Sequence, residues 1–88
     1  MSEHLDLAAI GKRISARRKE IGLSSLEALA DQIGSLCCRR PSIAKLSRIE
    51  TGVQPVPTDI LAGLASITGI PKNELRPDLA RLMDEAIQ

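Results

Sequence analysis

Aromatic residues are entirely missing from this chain of 88 residues, which contains no phenylalanine, tyrosine or tryptophan. Its hydrophobic core must therefore be built from aliphatic side chains and methionine, and this length is enough for one modest core in one domain. Proteins that bind single-stranded nucleic acids usually stack the bases on aromatic rings. The composition thus argues against that class of protein.

Cysteine and histidine are scarce as well. Cys37 and Cys38 are neighbours, and a disulfide between adjacent residues closes a strained ring. His4 is the only histidine in the sequence, so no second pair of ligands completes a zinc site. We therefore expect free thiols in a reducing compartment and no metal or cofactor. A redox-sensing or intermolecular role of the thiols is the alternative.

The sequence also lacks the signatures of several other classes. No apolar run approaches the roughly 20 residues of a membrane span, and the N-terminal residues lack the basic and apolar regions of a signal peptide. There is no glycine-rich phosphate loop, and no pair of carboxylates is placed for acid–base chemistry. We accordingly expect a cytoplasmic protein that is not an enzyme and has no membrane partner.

Charge is unevenly divided although the net charge is only +1. Residues 1–52 hold nine lysines and arginines against six acids, a balance of +3. Residues 53–88 hold three against five, a balance of −2. This mild asymmetry favours a polyanion as the ligand of the first half and a partner or solvent for the second.

Apolar residues recur at helical spacing, and no segment alternates with the period of two that a half-buried strand requires. Four polar residues are expected to cap helices, and Ser24 is expected to form a capping box with Glu27. The expected caps are Asp6, Ser24, Ser42 and Thr58, and glycines 22, 34, 52 and 69 are expected to end the same helices. The sequence predicts one all-α domain over residues 1–88, with its core in 8–75. It is a compact bundle of five to six short helices, over residues 7–21, 25–33, 43–51, 59–68, 72–75 and 78–87.

The predicted helix in segment 42–52 carries the strongest functional signal. Its expected inward residues are Ile43, Leu46 and Ile49, and its expected outward residues are Ala44, Lys45, Ser47 and Arg48. The outer face is short, polar and cationic, with no acid before Glu50. A helix that enters the major groove of DNA needs such a face, because lysine and arginine contact phosphates or guanine edges there. A solvated amphipathic helix is the alternative interpretation.

Four runs of residues stand in a recognisable order along the chain. They are Ile10-Gly11-Lys12-Arg13-Ile14 with Gly22-Leu23-Ser24, then Leu29-Ala30 with Ile33-Gly34, then Leu46-Ser47-Arg48-Ile49-Glu50-Thr51-Gly52, then Pro57 to Leu75. Together, over residues 8–75, they resemble the phage repressor and Cro-like (XRE-type) helix-turn-helix family. The ending 74–78 is more thinly similar to short Cro-like regulators that are grouped with YdaS-type antitoxins.

The resemblance implies that the second and third helices form the DNA-reading unit, with the third in the major groove. The positions where that family contacts base edges correspond to Ser42, Ile43, Ala44 and Lys45. Ser47 and Arg48 correspond to base or phosphate contacts. Ser24 and Ser25 match a phosphate-contacting position at the start of the second helix.

The chain departs from the family's pattern at two places. Leu26 stands near a position where the family often carries a glutamine that contacts the DNA backbone. The interval from Gly34 to Gly52 is also about six residues longer than usual, which predicts an extended turn over 35–41. This insertion supplies Arg39 and Arg40, either as DNA contacts or as a solvated loop. Most charges of the first helix are expected to form a solvated surface, and Arg13 and Arg17 are the candidates for one or two phosphate contacts.

These features predict a sequence-specific regulator of transcription that binds double-stranded DNA, most simply a repressor that binds a palindromic operator as a homodimer. Helix 78–87 would supply the dimer contact or pack back over the first and fifth helices. One alternative is an antitoxin-type regulator that also binds a toxin. The other is a protein-interaction module that has lost DNA binding.

Overall fold

The computed structural model describes residues 6–37 and 39–79. In these residues the only regular secondary structure is α-helix, which confirms the predicted all-α bundle. The helices are α1 (Leu7–Glu20), α2 (Leu26–Cys37), α3 (Ile43–Glu50), α4 (Thr58–Thr68) and α5 (Lys72–Leu75). Residues 77–79 form a further helical turn where the predicted helix 78–87 begins, and the remainder of that predicted helix lies outside the described residues. None of the described helices has the length and apolarity that crossing a membrane would require.

Helix α1 begins as the sequence predicts. The carboxylate of Asp6 accepts a hydrogen bond from the amide of Ala9 at 3.1 Å, which satisfies one of the free N–H groups of the first turn. Ile14 is buried, but Ile21, the last residue of the predicted helix 7–21, is 37% exposed. The helix ends at Glu20, so Ile21 no longer follows the helical period.

Helix α2 is capped one residue later than predicted. The hydroxyl of Ser25 accepts the amide of Ala28 at 3.1 Å, and the helix starts at Leu26. The third residue of the helix is therefore Ala28, which has no side chain that can reach back to the cap. The capping box that was predicted from Ser24 and Glu27 is wrong for this reason.

Helix α2 also continues past Gly34 to Cys37, so the predicted loop over 35–41 begins with helix. A glycine inside a helix costs about 1 kcal/mol relative to alanine, and close packing explains why Gly34 is there. A Cβ at this position would lie 3.1 Å from the Cβ of Arg40, where the chain passes on its way to α3. The extra turn also places the sulfur of Cys37 over Gly63 of α4.

Helices α3 and α4 differ in how they start. Ser42 caps α3 as predicted, and its hydroxyl accepts the amide of Lys45 at 3.1 Å. Thr58 is instead the first residue of α4, behind Pro57, and makes no capping bond. The predicted ends are confirmed: Gly52 and Gly69 follow their helices with φ of 84° and 75°, in the left-handed region that glycine adopts without strain.

The core is aliphatic, as the composition requires. Helix α2 packs mainly against α4 and α1 against α3, with α5 resting on α4. The buried hydrophobic residues are Ile14, Leu29, Ala30, Ile33, Leu46, Ile49, Val56, Ile60, Leu61, Leu64, Ile70 and Leu75. Because this core draws on every described helix, α3 is held by the whole bundle.

Candidate nucleic-acid interface

Helix α3 is anchored by two side chains and leaves a polar face to solvent. Leu46 and Ile49 are buried, and the helix packs against both α1 and α2. The exposed positions of the segment are Ser42, Ile43, Ala44, Ser47 and Arg48, and Lys45 is half-buried. Thus the structure brings together, on α3 and its N-cap Ser42, six of the ten residues that the sequence nominates for DNA contact.

Ile43 is a correction to the predicted inner face. It was expected to face the core with Leu46 and Ile49, but it is 45% exposed. It is the first residue of α3, at the opposite end of the helix from Ile49. Its exposure leaves an apolar side chain beside Ala44 on the outer face, and apolar contacts of this kind suit the methyl group of thymine.

The one acidic residue of α3 is turned away from this face. The carboxylate of Glu50 accepts hydrogen bonds from Nε and Nη2 of Arg18 at 2.8 and 3.2 Å, and the two side chains are 11% and 8% exposed. Arg18 also donates to the carbonyl of Leu23 at 2.8 Å. The burial of Arg18 was not predictable from residue order, because Arg18 lies within a run of cationic residues. The pairing removes the negative charge of Glu50 from the outer face.

A close approach of α1 and α3 sets the position of the outer face. A Cβ on Gly11 would lie 2.6 Å from the carbonyl oxygen of Ile49, nearer than a real Cβ comes to backbone. A Cβ on Gly52 would likewise lie 2.9 Å from the Cα of Ala8 in α1. An unexplained glycine inside a predicted helix was the available signal for this contact.

The C-terminal end of α3 closes in a Schellman motif. The amide of Val53 donates to the carbonyl of Arg48 at 2.8 Å, and that of Gly52 to the carbonyl of Ile49 at 3.2 Å. This turn brings Gln54 back beside the helix. Its Oε1 accepts Nε of Arg48 at 3.0 Å. Gln54 was not among the residues that the sequence nominated.

Arg39 and Arg40 lie just before α3, but each has a carboxylate partner. Nε of Arg40 donates to Asp31 of α2 at 2.8 Å, and Nη1 of Arg39 lies 3.8 Å from Asp59 of α4. Both arginines are exposed. Exposed ion pairs contribute only about 0–1 kcal/mol, so a phosphate would compete with either carboxylate at little cost. Their role as DNA contacts stays a prediction.

The side chains of Arg13 and Arg17 on α1 bond to residues of α5 and α4. Arg13 forms an ion pair with Glu74 of α5. Nε of Arg17 donates to the carbonyl of Thr68 at 2.8 Å, and its Nη1 bonds to Glu20 at 2.8 Å. These contacts tie α1 to the end of α4 and to α5. They give both arginines a structural role that the sequence did not suggest.

The start of α2 presents Ser24 and Ser25, which are both exposed. The hydroxyl of Ser25 is occupied by the cap of α2, whereas Ser24 precedes the cap. The first amides of a helix carry partial positive charge and bind phosphate well. The two serines therefore stand where a phosphate would meet either a hydroxyl or a helix N-terminus.

Within residues 6–37 and 39–79, no group of three or more histidine, cysteine and acidic residues is placed to hold a metal ion. Cys37 is half-buried and carries a free thiol, while Cys38 lies outside the described residues. The chain matches no family model, no curated protein and no solved structure. The resemblance to the XRE-type helix-turn-helix family therefore stays a prediction.

Proposed function

We propose that this protein is a sequence-specific regulator of transcription, acting as a repressor, that places α3 in the major groove of double-stranded DNA. The observation that carries the proposal is the outer face of α3. Its exposed and half-exposed side chains are neutral or cationic, and the one acid of the helix, Glu50, is neutralised by Arg18 on the inner side. A face of this charge suits phosphates and base edges.

The surroundings of α3 add to the electrostatic argument. Ser42 and Ser25 cap α3 and α2 and are exposed, so both helix N-termini are accessible to phosphates. Arg39 and Arg40 border α3, and each forms an exposed ion pair that contributes little to stability. In this proposal α2 crosses the DNA backbone while α3 contacts the bases, as in a helix-turn-helix, and the packing of α2 against α3 supports it.

A helix of eight residues contacts only a few base pairs. Pairing two copies about a two-fold axis doubles the number of contacts and matches a palindromic site. We therefore include a homodimer and a palindromic operator in the proposal. The half-sites would lie about one helical turn, roughly 34 Å, apart.

The test is selection of binding sites from a random pool of duplexes, followed by fluorescence anisotropy with labelled DNA. The label is on the DNA because the protein has no tryptophan or tyrosine. We expect a palindrome to be enriched, and Lys45→Ala and Arg48→Ala to weaken binding by about 1–3 kcal/mol each if they contact bases. Lys72→Ala, an exposed lysine on α5, is the matched control and is expected to bind normally.

Two results of this experiment would contradict the proposal. If the pool enriches no sequence and only weak, salt-sensitive binding remains, the proposal is wrong. The protein-interaction module would then be the better hypothesis. If Lys72→Ala weakens binding as much as Lys45→Ala, the binding is a general effect of net charge and α3 is not the reading helix.

A further inference from the structure

Arg48 differs from the other arginines that the structure describes. Six of them have a carboxylate partner: Arg13, Arg17, Arg18, Arg39, Arg40 and Arg76. Within the same residues Arg48 has none, and its Nε donates to the neutral amide oxygen of Gln54 at 3.0 Å. Its positive charge is therefore not cancelled by the protein, although its side chain is held in place.

Hydrogen bonds of both its main chain and its side chain fix the position of Arg48. The carbonyl of Arg48 accepts the amides of Val53 and Gln54 at 2.8 and 3.4 Å, which bends the chain back after α3. The hydroxyl of Thr51 donates to the carbonyl of Ser47 at 2.9 Å and braces the same turn. Because Gln54 is half-buried, its amide is a steadier partner than an exposed side chain would be.

Because Nε of Arg48 donates to Gln54, only its other N–H groups remain for a ligand. A guanidinium has five N–H donors, one on Nε and two on each Nη. With Nε used by Gln54, the four Nη donors remain, and Nη1 and Nη2 form a fork at the tip of the side chain. A fork held in one plane matches two acceptors side by side, which the single ammonium group of lysine does not. A phosphate can present such a pair, but Arg48 lies on the exposed face of α3, which the proposed function places against the base edges.

We propose that Arg48 reads a guanine in the operator through Nη1 and Nη2, with Gln54 as the residue that positions it. Guanine presents O6 and N7 side by side in the major groove, and bidentate arginine is the commonest specific contact to that pair. Gln54 does not touch the base. This inference rests on the proposed function and assigns to it one base type and one residue that the sequence did not nominate.

The test uses the duplex selected by the full-length protein and measures the affinity for each base at every operator position. We expect Arg48→Ala, Arg48→Lys and Gln54→Ala each to reduce the preference for guanine at one and the same position, by roughly tenfold or more. Replacing that guanine with deazaguanine, which lacks the N7 acceptor, should weaken wild-type binding and leave Arg48→Ala unaffected. Asn73→Ala on α5 is the control for loss of an amide side chain and should leave all base preferences unchanged.

Two outcomes would overturn the inference while the proposed function stands. In the first, Arg48→Ala weakens all sequences equally and lowers the salt slope by about one, as loss of a phosphate contact does. In the second, Gln54→Ala leaves the guanine preference intact. If the pool enriches no duplex at all, the proposed function fails and this inference fails with it. Circular dichroism of each variant establishes that it is folded.

Discussion

Arg18 and Glu50 form a buried ion pair, with Nε and Oε2 2.8 Å apart across 32 positions of the sequence. The pair joins the last turn of α1 to the last residue of α3. It does two things for the candidate interface. It fixes the end of α3 against α1, and it withdraws a negative charge from the face that would approach DNA.

Removing one member of this pair is expected to destabilise the fold. Glu50→Ala or Arg18→Ala leaves a charge buried without its partner, which costs about 3–5 kcal/mol in comparable sites. Urea unfolding followed by far-ultraviolet circular dichroism measures the change in free energy. The double variant Arg18→Met with Glu50→Leu should recover much of the loss, since apolar side chains of similar volume often replace such pairs. No recovery would mean that the bond from Arg18 to the carbonyl of Leu23 matters more than the ion pair.

Gly11→Ala is expected to destabilise the protein although alanine favours helix. The new Cβ would come within 2.6 Å of the carbonyl of Ile49, so α1 and α3 must separate, at a cost of about 1–3 kcal/mol. Gly34→Ala is the matched comparison, because its Cβ would meet the Arg40 side chain at 3.1 Å. At Gly34 the gain in helix propensity, about 1 kcal/mol, offsets much of the cost of this close contact. Thermal unfolding should rank Gly11→Ala below Gly34→Ala, and equal midpoints would contradict the close approach at Gly11.

Two neighbouring serines should differ in their contribution to stability. Ser25→Ala removes the hydrogen bond to the amide of Ala28 and should cost about 1 kcal/mol, as loss of an N-cap usually does. Ser24→Ala removes an exposed hydroxyl from the residue before the cap and should stay within about 0.5 kcal/mol of the original chain. The urea midpoints of the two variants measure these changes in stability. A larger loss in Ser24→Ala would restore the capping box predicted from the sequence.

The pair formed by Arg76 and Asp78 should make stability depend on acid pH. A bidentate hydrogen bond from Arg76, at 3.0 and 2.8 Å, is the main reason that the pKa of Asp78 lies below its ordinary value of 3.8. The folded chain therefore keeps the carboxylate ionised where the unfolded chain protonates it. The stabilisation is complete above the unfolded pKa and is lost as pH falls through the folded pKa.

The measurement is the difference in unfolding free energy between the original chain and Asp78→Asn as a function of pH. We expect that difference to be greatest near neutrality and to shrink below about pH 4. Arg76 also donates to the carbonyl of Val56 at 2.7 Å, so the variant should loosen the segment that follows α3. Glu27→Gln controls for removal of one exposed carboxylate. A difference that is independent of pH would contradict the ionic role of Asp78.

Most of the fold was predictable because it depends on local patterns. The periodicity of the apolar residues located all five described helices, and Asp6 and Ser42 were identified as caps from residue type alone. The left-handed glycines at 52 and 69 likewise follow from backbone sterics that act over one residue. The errors lie at helix ends, where Ser25 displaced Ser24 and α2 ran on through Gly34 to Cys37. The C-terminal end of α2 packs against α4 and Arg40, which a local pattern does not include.

Residue order alone is enough to predict an aliphatic helical bundle with a cationic, weakly apolar face between Ser42 and Gly52. Periodicity and capping act within about four residues, so a linear chain displays them. The partners of the long charged side chains depend instead on how the helices pack: Glu50 for Arg18, Gln54 for Arg48, and Asp31 for Arg40. An arginine reaches far enough to meet any neighbouring element, and Arg17 bonds to a carbonyl 51 positions away. Which charge stays free for a ligand is therefore settled by packing and not by the order of residues.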